Sequence, residues 1–136
     1  MKIYSWIVLL LAIAYPIQAA TQTSPASLSA EQAYKALAQY EYGQSRQALV
    51  VLERHVPKTT SDPALKNKTA KRLAAILADP KATDAGKTFA SQQLQIVAGA
   101  EQVPLLAQML DDPKTVEQAR YVLQAMPCDE AGAPLR

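Results

Sequence analysis

Residues 106–126, which read LAQMLDDPKTVEQARYVLQAM, decide the fold. Their first nine residues repeat an upstream segment, 73–81, which reads LAAILADPK, so the frame L-A-x-x-L-x-D-P-K recurs after 33 positions. A second frame, A-x-x-x-L, follows each copy, at 90–94 and at 119–123. Each unit is therefore predicted to be a helix, an Asp-Pro turn and a second helix. Repeats of about 30–40 residues are typical of α-solenoids, so we expect an all-α superhelix of antiparallel helix pairs.

The composition fits one helical domain. The 136 residues are 49% hydrophobic but only 6% aromatic, and alanine is abundant, which favours helices whose axes lie close together. The formal net charge is +2, and the sequence has no basic stripe of the kind that nucleic-acid binding needs. We therefore expect no nucleic-acid partner.

Residues 1–20 have the features of a secretory signal peptide. Lys2 supplies the positive charge, residues 3–14 are almost wholly apolar, and Ala19 and Ala20 are small residues suited to cleavage after either one. A membrane anchor is the alternative, but the apolar run is shorter than the roughly 20 residues that a span needs. The protein is thus expected to be exported, to the periplasm or the extracellular space, with no membrane association beyond the cleaved signal.

The rest of the chain is predicted to be a leader followed by helices. Residues 21–28 are polar and contain a proline, which is typical of a disordered segment. The helical-repeat domain is expected over 29–136, with helix pairs at 29–57, 62–99 and 100–127 and the start of a further repeat at 128–136. The first helix is expected to run to about Tyr42 and to end at a left-handed Gly43.

Four residues are predicted to cap helices. Ser29 opens an S-x-x-Q capping box. Asp62, Asp79 and Asp112 each precede a proline, and an aspartate N-cap followed by proline at the first helical position fits the start of a helix. The alternative, an acidic metal or catalytic site, is disfavoured because the Asp-Pro pair recurs at three turns.

The residues that usually carry chemistry are sparse. His55 is the only histidine and Cys128 the only cysteine. A general base needs an orienting partner and a nucleophile, and a zinc site needs several Cys or His ligands. His55 is therefore interpreted as structural or surface-exposed. Cys128 is interpreted as a small turn residue, while an intermolecular disulfide, or a bond to a cysteine outside this sequence, stays open. We expect no catalytic residue, no metal and no cofactor.

Two surfaces are candidates for binding. The basic cluster of the third helix is interpreted as a solvated face, with an acidic partner as the alternative; it comprises Lys66, Lys68, Lys71 and Arg72. The candidate protein-binding surface lies on exposed positions of the second helices, namely Gln92, Gln95, Arg120, Tyr121 and Gln124. Tyr and Arg are favoured at interface hot spots, although the same positions could be ordinary solvated or inter-repeat residues.

Residues 62–136 resemble HEAT-like repeats, especially the short type named after the phycobilisome lyases. The resemblance lies in the paired helices, the Asp-Pro turn and the run ARYVL at 119–123. It implies an armadillo-like solenoid that acts as a scaffold or binds proteins. The lyase activity is not implied, because it is an intracellular pigment-attachment function. The first pair, through YEYGQSRQAL at 40–49, is also similar to a tetratricopeptide unit, and either family gives a helix pair.

These patterns predict an exported interaction or scaffold domain without catalytic activity. Its partner would be another protein or another domain of the same protein. The alternative is an accessory repeat module of a larger secreted enzyme or redox protein. The segments VPL at 103–105 and APL at 133–135 have the same form, which suggests that a further repeat is cut off at Arg136 and that the chain is a fragment.

Overall fold

The computed structural model describes residues 28–136, which form six α-helices joined by short loops and 3-10 turns. The helices are α1 (Ala30–Ala38), α2 (Gln47–His55), α3 (Pro63–Ala78), α4 (Asp84–Val97), α5 (Val103–Gln108) and α6 (Val116–Ala125). This part of the chain contains no strand, and the prediction of an all-α fold is confirmed. None of its helices is both long and apolar enough to cross a membrane. The predicted signal peptide, and the leader up to residue 27, lie outside the described residues.

Helix α4 lies at the centre of the fold and contacts α1, α2, α3 and α6. Its apolar positions follow helical spacing, so one stripe of the helix is buried on several neighbours at once. Each of the six helices contributes to one continuous apolar cluster. The most deeply buried large side chains of that cluster include Leu37, Leu52, Leu73, Leu77, Leu94, Leu106 and Leu123.

Helix α1 is shorter than the sequence predicts, ending at Ala38 instead of near Tyr42. Gly43 does adopt the left-handed region, with φ of 92°, but it lies in the connecting loop and not at the helix end. Two carbonyls, one at the end of α1 and one just after it, accept hydrogen bonds from Thr83. The amide of Thr83 donates to the Ala38 carbonyl at 3.1 Å, and the Thr83 hydroxyl donates to the Tyr40 carbonyl. These bonds hold the end of α1 against the start of α4.

Ser29 and Asp62 are N-caps of α1 and α3. The Ser29 hydroxyl accepts from the Gln32 amide at 3.2 Å, and the Gln32 side chain accepts from the Ser29 amide at 3.0 Å, which completes the capping box. The Asp62 carboxylate accepts from the amides of Ala64 and Leu65 at 2.8 and 3.3 Å. Two otherwise unpaired amides of α3 are satisfied in this way.

The expectation for Asp79 and Asp112 needs correction, because neither residue caps the helix that follows it. Their carboxylates accept from the amides of Lys81 and Lys114, two residues ahead, at 2.8 and 2.9 Å. An aspartate that bonds the backbone two residues on closes a turn. The Asp-Pro-Lys segments are thus turns that precede the helices. The N-cap of α4 is Thr83, whose hydroxyl accepts from the Gly86 amide at 3.0 Å.

The different roles of these aspartates predict different costs of substitution. Asp62→Ala should lower the free energy of unfolding by about 0.5–2 kcal/mol, since α3 loses a side-chain cap. Asp112→Ala should cost less, because its carboxylate accepts one amide in an exposed turn. Urea unfolding of both variants measures the two losses. An equal or larger loss for Asp112→Ala would contradict the assignment.

Candidate binding groove

A groove with a volume of about 410 Å³ runs between α4 and α6. We call it the α4–α6 groove. It brings together four of the five residues predicted to form the binding surface, which are Gln92, Arg120, Tyr121 and Gln124. The other lining residues are Thr88, Ser91, Glu117 and Gln118.

The two A-x-x-x-L frames explain why the groove lies here. Ala90 and Leu94 of α4, and Ala119 and Leu123 of α6, are all buried. The contact between the two helices is therefore made on their apolar stripes, and polar residues between those stripes are left along the outer edge of the contact. Ser91 is also buried, and its hydroxyl donates to the Thr88 carbonyl at 2.7 Å.

Gln95 has a different place from the other four predicted surface residues. Its side-chain nitrogen donates to the backbone carbonyl of Tyr121 at 2.8 Å, and the residue is half-buried. Gln95 therefore ties α4 to α6 beside the groove and is not among the lining residues. The bond uses the Tyr121 backbone, so the Tyr121 ring remains available on the groove wall.

The accessible chemistry of the groove comes mainly from α6. Tyr121 is 48% exposed, which is high for a large aromatic side chain. Arg120 lies 3.8 Å from Glu117, and both side chains are more than half exposed, so this pair contributes little to stability. The guanidinium of Arg120 can therefore exchange Glu117 for another carboxylate at small cost.

Sequence reasoning missed Glu117 and Gln118 as lining residues. They precede Tyr121 by four and three positions, which places them on the same helix face as its side chain. The sequence alone therefore contained the spacing that indicates Glu117 and Gln118 as neighbours of Tyr121. The side-chain oxygen of Gln118 is buried and has no hydrogen-bond partner within residues 28–136.

The basic cluster of α3 is partly neutralised by contacts with other elements. Arg72 pairs with Glu31 of α1, and its guanidinium lies 4.8 Å from the centre of the Tyr34 ring. Lys71 pairs with Glu101 at 3.2 Å. These contacts join α3 to α1 and to the 3-10 turn Ala100–Gln102, which favours a structural role for these two residues.

The pair between Glu31 and Arg72 makes stability depend on pH. The hydrogen bond and charge of Arg72 hold the pKa of Glu31 below its ordinary value of 4.5. A depressed carboxyl pKa stabilises the fold above pH 4.5, and that stabilisation is lost as the pH falls through the folded-state pKa. Glu31→Gln should therefore have a lower melting temperature than wild type at pH 6, and the difference between the two melting temperatures should shrink towards pH 3. Melting curves at both values test this, and a pH-independent difference would contradict it.

His55 and Cys128 are packed beside the core. The His55 ring meets the Tyr34 ring edge-on, with centroids 6.3 Å apart. Cys128 is half-buried and forms no disulfide with a described residue. Within residues 28–136, no three His, Cys, Asp or Glu side chains converge on a point that could hold a metal ion.

Comparisons of the chain with protein families, with curated proteins and with solved structures find no match. The HEAT-like interpretation therefore stays a prediction from the two repeated frames, and function is argued from the groove.

Proposed function

We propose that residues 29–136 form a short HEAT-like α-solenoid that binds another protein, or another domain of the same protein, in the α4–α6 groove. The domain acts as an interaction or scaffold module without catalytic activity. The observation that carries this proposal is the groove itself, which collects four residues chosen from the repeat pattern alone.

The packing of the helices supports the solenoid part of the proposal. Helices α3 and α4 pack against each other, as do α5 and α6. The second helices of these two pairs, α4 and α6, are also in contact. Repeat proteins bury their core by stacking equivalent helices of neighbouring units in this way.

The chemistry of the groove supports a polypeptide as the ligand. Gln92 and Gln124 line it and are exposed, and each of these amides can donate and accept, as the backbone of an extended peptide requires. Tyr121 offers a rigid ring with apolar area, and Arg120 offers a cation for an acidic side chain. These two residue types are enriched among the side chains that dominate binding energy.

Export is part of the same proposal and rests on residues 1–20. The protein recovered from the exported fraction should begin at Ala20 or Thr21. N-terminal sequencing measures this directly. A protein that retains Met1 in that fraction would contradict cleavage.

Site-specific photo-crosslinking tests the interaction function. A photoreactive amino acid replaces Tyr121 in one variant and Leu65 in another, because the two side chains are equally exposed, at 48% and 49%. Position 121 should form a discrete adduct with another polypeptide in the exported fraction, and position 65 should not. The same adducts from both positions, or an adduct from position 65 alone, would contradict the proposal.

A further inference from the structure

A second cavity lies between the two Asp-Pro turns that the repeat makes equivalent. Pro80 of the first turn and Pro113 of the second both line it, and its volume is about 550 Å³. We call it the turn cleft. Its other lining residues are Ala82, Asp84, Lys87, Lys114, Glu117 and Gln118.

Lys87 is the unusual residue of the turn cleft. It lies on the first turn of α4 and is only 6% exposed. None of the ion pairs among residues 28–136 involves it, and its ammonium has no hydrogen-bond partner there. Its ammonium is not among the fully buried, unpartnered polar atoms of residues 28–136, so the stem is buried while the charged end reaches the cleft. Since Lys87 lines the cleft, an anionic group there could pair with its ammonium.

The remaining charges of the turn cleft restrict what can bind. Lys114 adds a second cation, while Asp84 and Glu117 add two carboxylates. A simple anion would be attracted by the lysines and repelled by the carboxylates. A simple cation would be attracted by the carboxylates and repelled by the lysines. A molecule that carries both an ammonium and a carboxylate satisfies both sets of charges at once.

We propose that the turn cleft binds a small zwitterion, either a free α-amino acid or a short peptide. Its carboxylate lies on the ammonium of Lys87, and its amino group lies near Asp84 and Glu117. The volume falls within the range of roughly 300–1,000 Å³ that small-ligand sites occupy. The turn cleft adjoins the α4–α6 groove, since Glu117 and Gln118 line both, but neither Arg120 nor Tyr121 lines the cleft.

Titration calorimetry of the wild-type protein in low salt provides the first test. The probes are alanine, trialanine, N-acetyl-trialanine and trialanine amide. At least one zwitterion should bind saturably, and blocking either of its ends should weaken binding by about tenfold or more, as the loss of one charged hydrogen bond implies. Preference for trialanine identifies a peptide site, and equal binding of alanine identifies an amino-acid site. Blocked peptides that bind as well as trialanine would overturn the proposal, as would no binding of either zwitterion up to about 10 mM.

Substitution of Lys87 provides the second test. Lys87→Met keeps a long unbranched side chain and removes its charge, so the variant should fold and lose zwitterion binding. Lys58→Met makes the same change of charge at an exposed residue outside the cleft, and it should bind as wild type does. Unchanged zwitterion binding by folded Lys87→Met would overturn the proposal. If that variant does not fold, the affinities of the blocked peptides for the wild-type protein test it instead.

Tyr121→Ala should retain zwitterion binding. Failure of the turn-cleft proposal and failure of the groove proposal therefore give different results.

Discussion

Gly86→Ala is expected to lower the free energy of unfolding by about 3 kcal/mol, the upper part of the range for overpacking. A methyl group at this position would lie 2.9 Å from the Thr83 hydroxyl oxygen and closer still to the backbone carbonyl oxygen of Leu37. A flexible side chain could move aside, but the backbone of α1 cannot move without disturbing the core around Leu37. Gly86 therefore allows α1 to meet the first turn of α4 at close range.

Chemical unfolding monitored by circular dichroism measures this loss. Gly132→Ala is the matched control, because the only atom near its added methyl group is an Arg136 side-chain nitrogen at 3.9 Å. The control should stay within about 0.5 kcal/mol of wild type. A Gly86→Ala variant as stable as the control would mean that α1 and α4 are not in close contact.

Leu94→Ala is expected to cost about 2–5 kcal/mol. Leu94 is 0% exposed and lies on α4, which contacts four other helices. Truncation removes buried apolar atoms and leaves a cavity. The helices around it are fixed by their other contacts, so they cannot move together to fill it. The loss should appear in urea unfolding as a lower midpoint with little change in slope.

The matched control for Leu94→Ala is the same substitution at Leu65, which is 49% exposed. Leu65→Ala should change stability by less than about 1 kcal/mol, since little of the removed surface is buried. Comparable losses at the two positions would contradict the placement of α4 at the centre of the core.

Apolar periodicity indicates which side of a helix is buried. The frames at 90–94 and 119–123 supplied apolar residues that are buried where α4 meets α6. The caps were harder to predict. An aspartate can cap a helix or close a turn, and the backbone conformation of the residues after it decides which. At α4, Thr83 is a second candidate for the N-cap. That threonine, placed directly before Asp84, was a signal in the sequence.

The repeat alignment selected surface positions on both second helices. Gln92 of α4 and Arg120, Tyr121 and Gln124 of α6 all lie on the groove. The bond from Gln95 to the Tyr121 carbonyl joins two helices, so no pattern within one helix indicates it. Lys87 likewise has the same sequence features as an exposed lysine. Its burial follows from the second Asp-Pro turn packing beside the first.

The affinity of the cross-linked partner for groove variants tests the central claim most directly. The protein carrying Arg120→Glu and Tyr121→Ala should bind at least about 100-fold more weakly than wild type, because two hot-spot residues are lost together. Arg54→Glu makes the same charge reversal on α2, outside the groove, and should bind as wild type does. The bond from the Gln95 side chain to the Tyr121 backbone carbonyl does not involve the substituted side chains, so α4 and α6 should remain packed in the double variant. A dissociation constant unchanged by the double substitution would contradict the assignment of the α4–α6 groove as the partner surface.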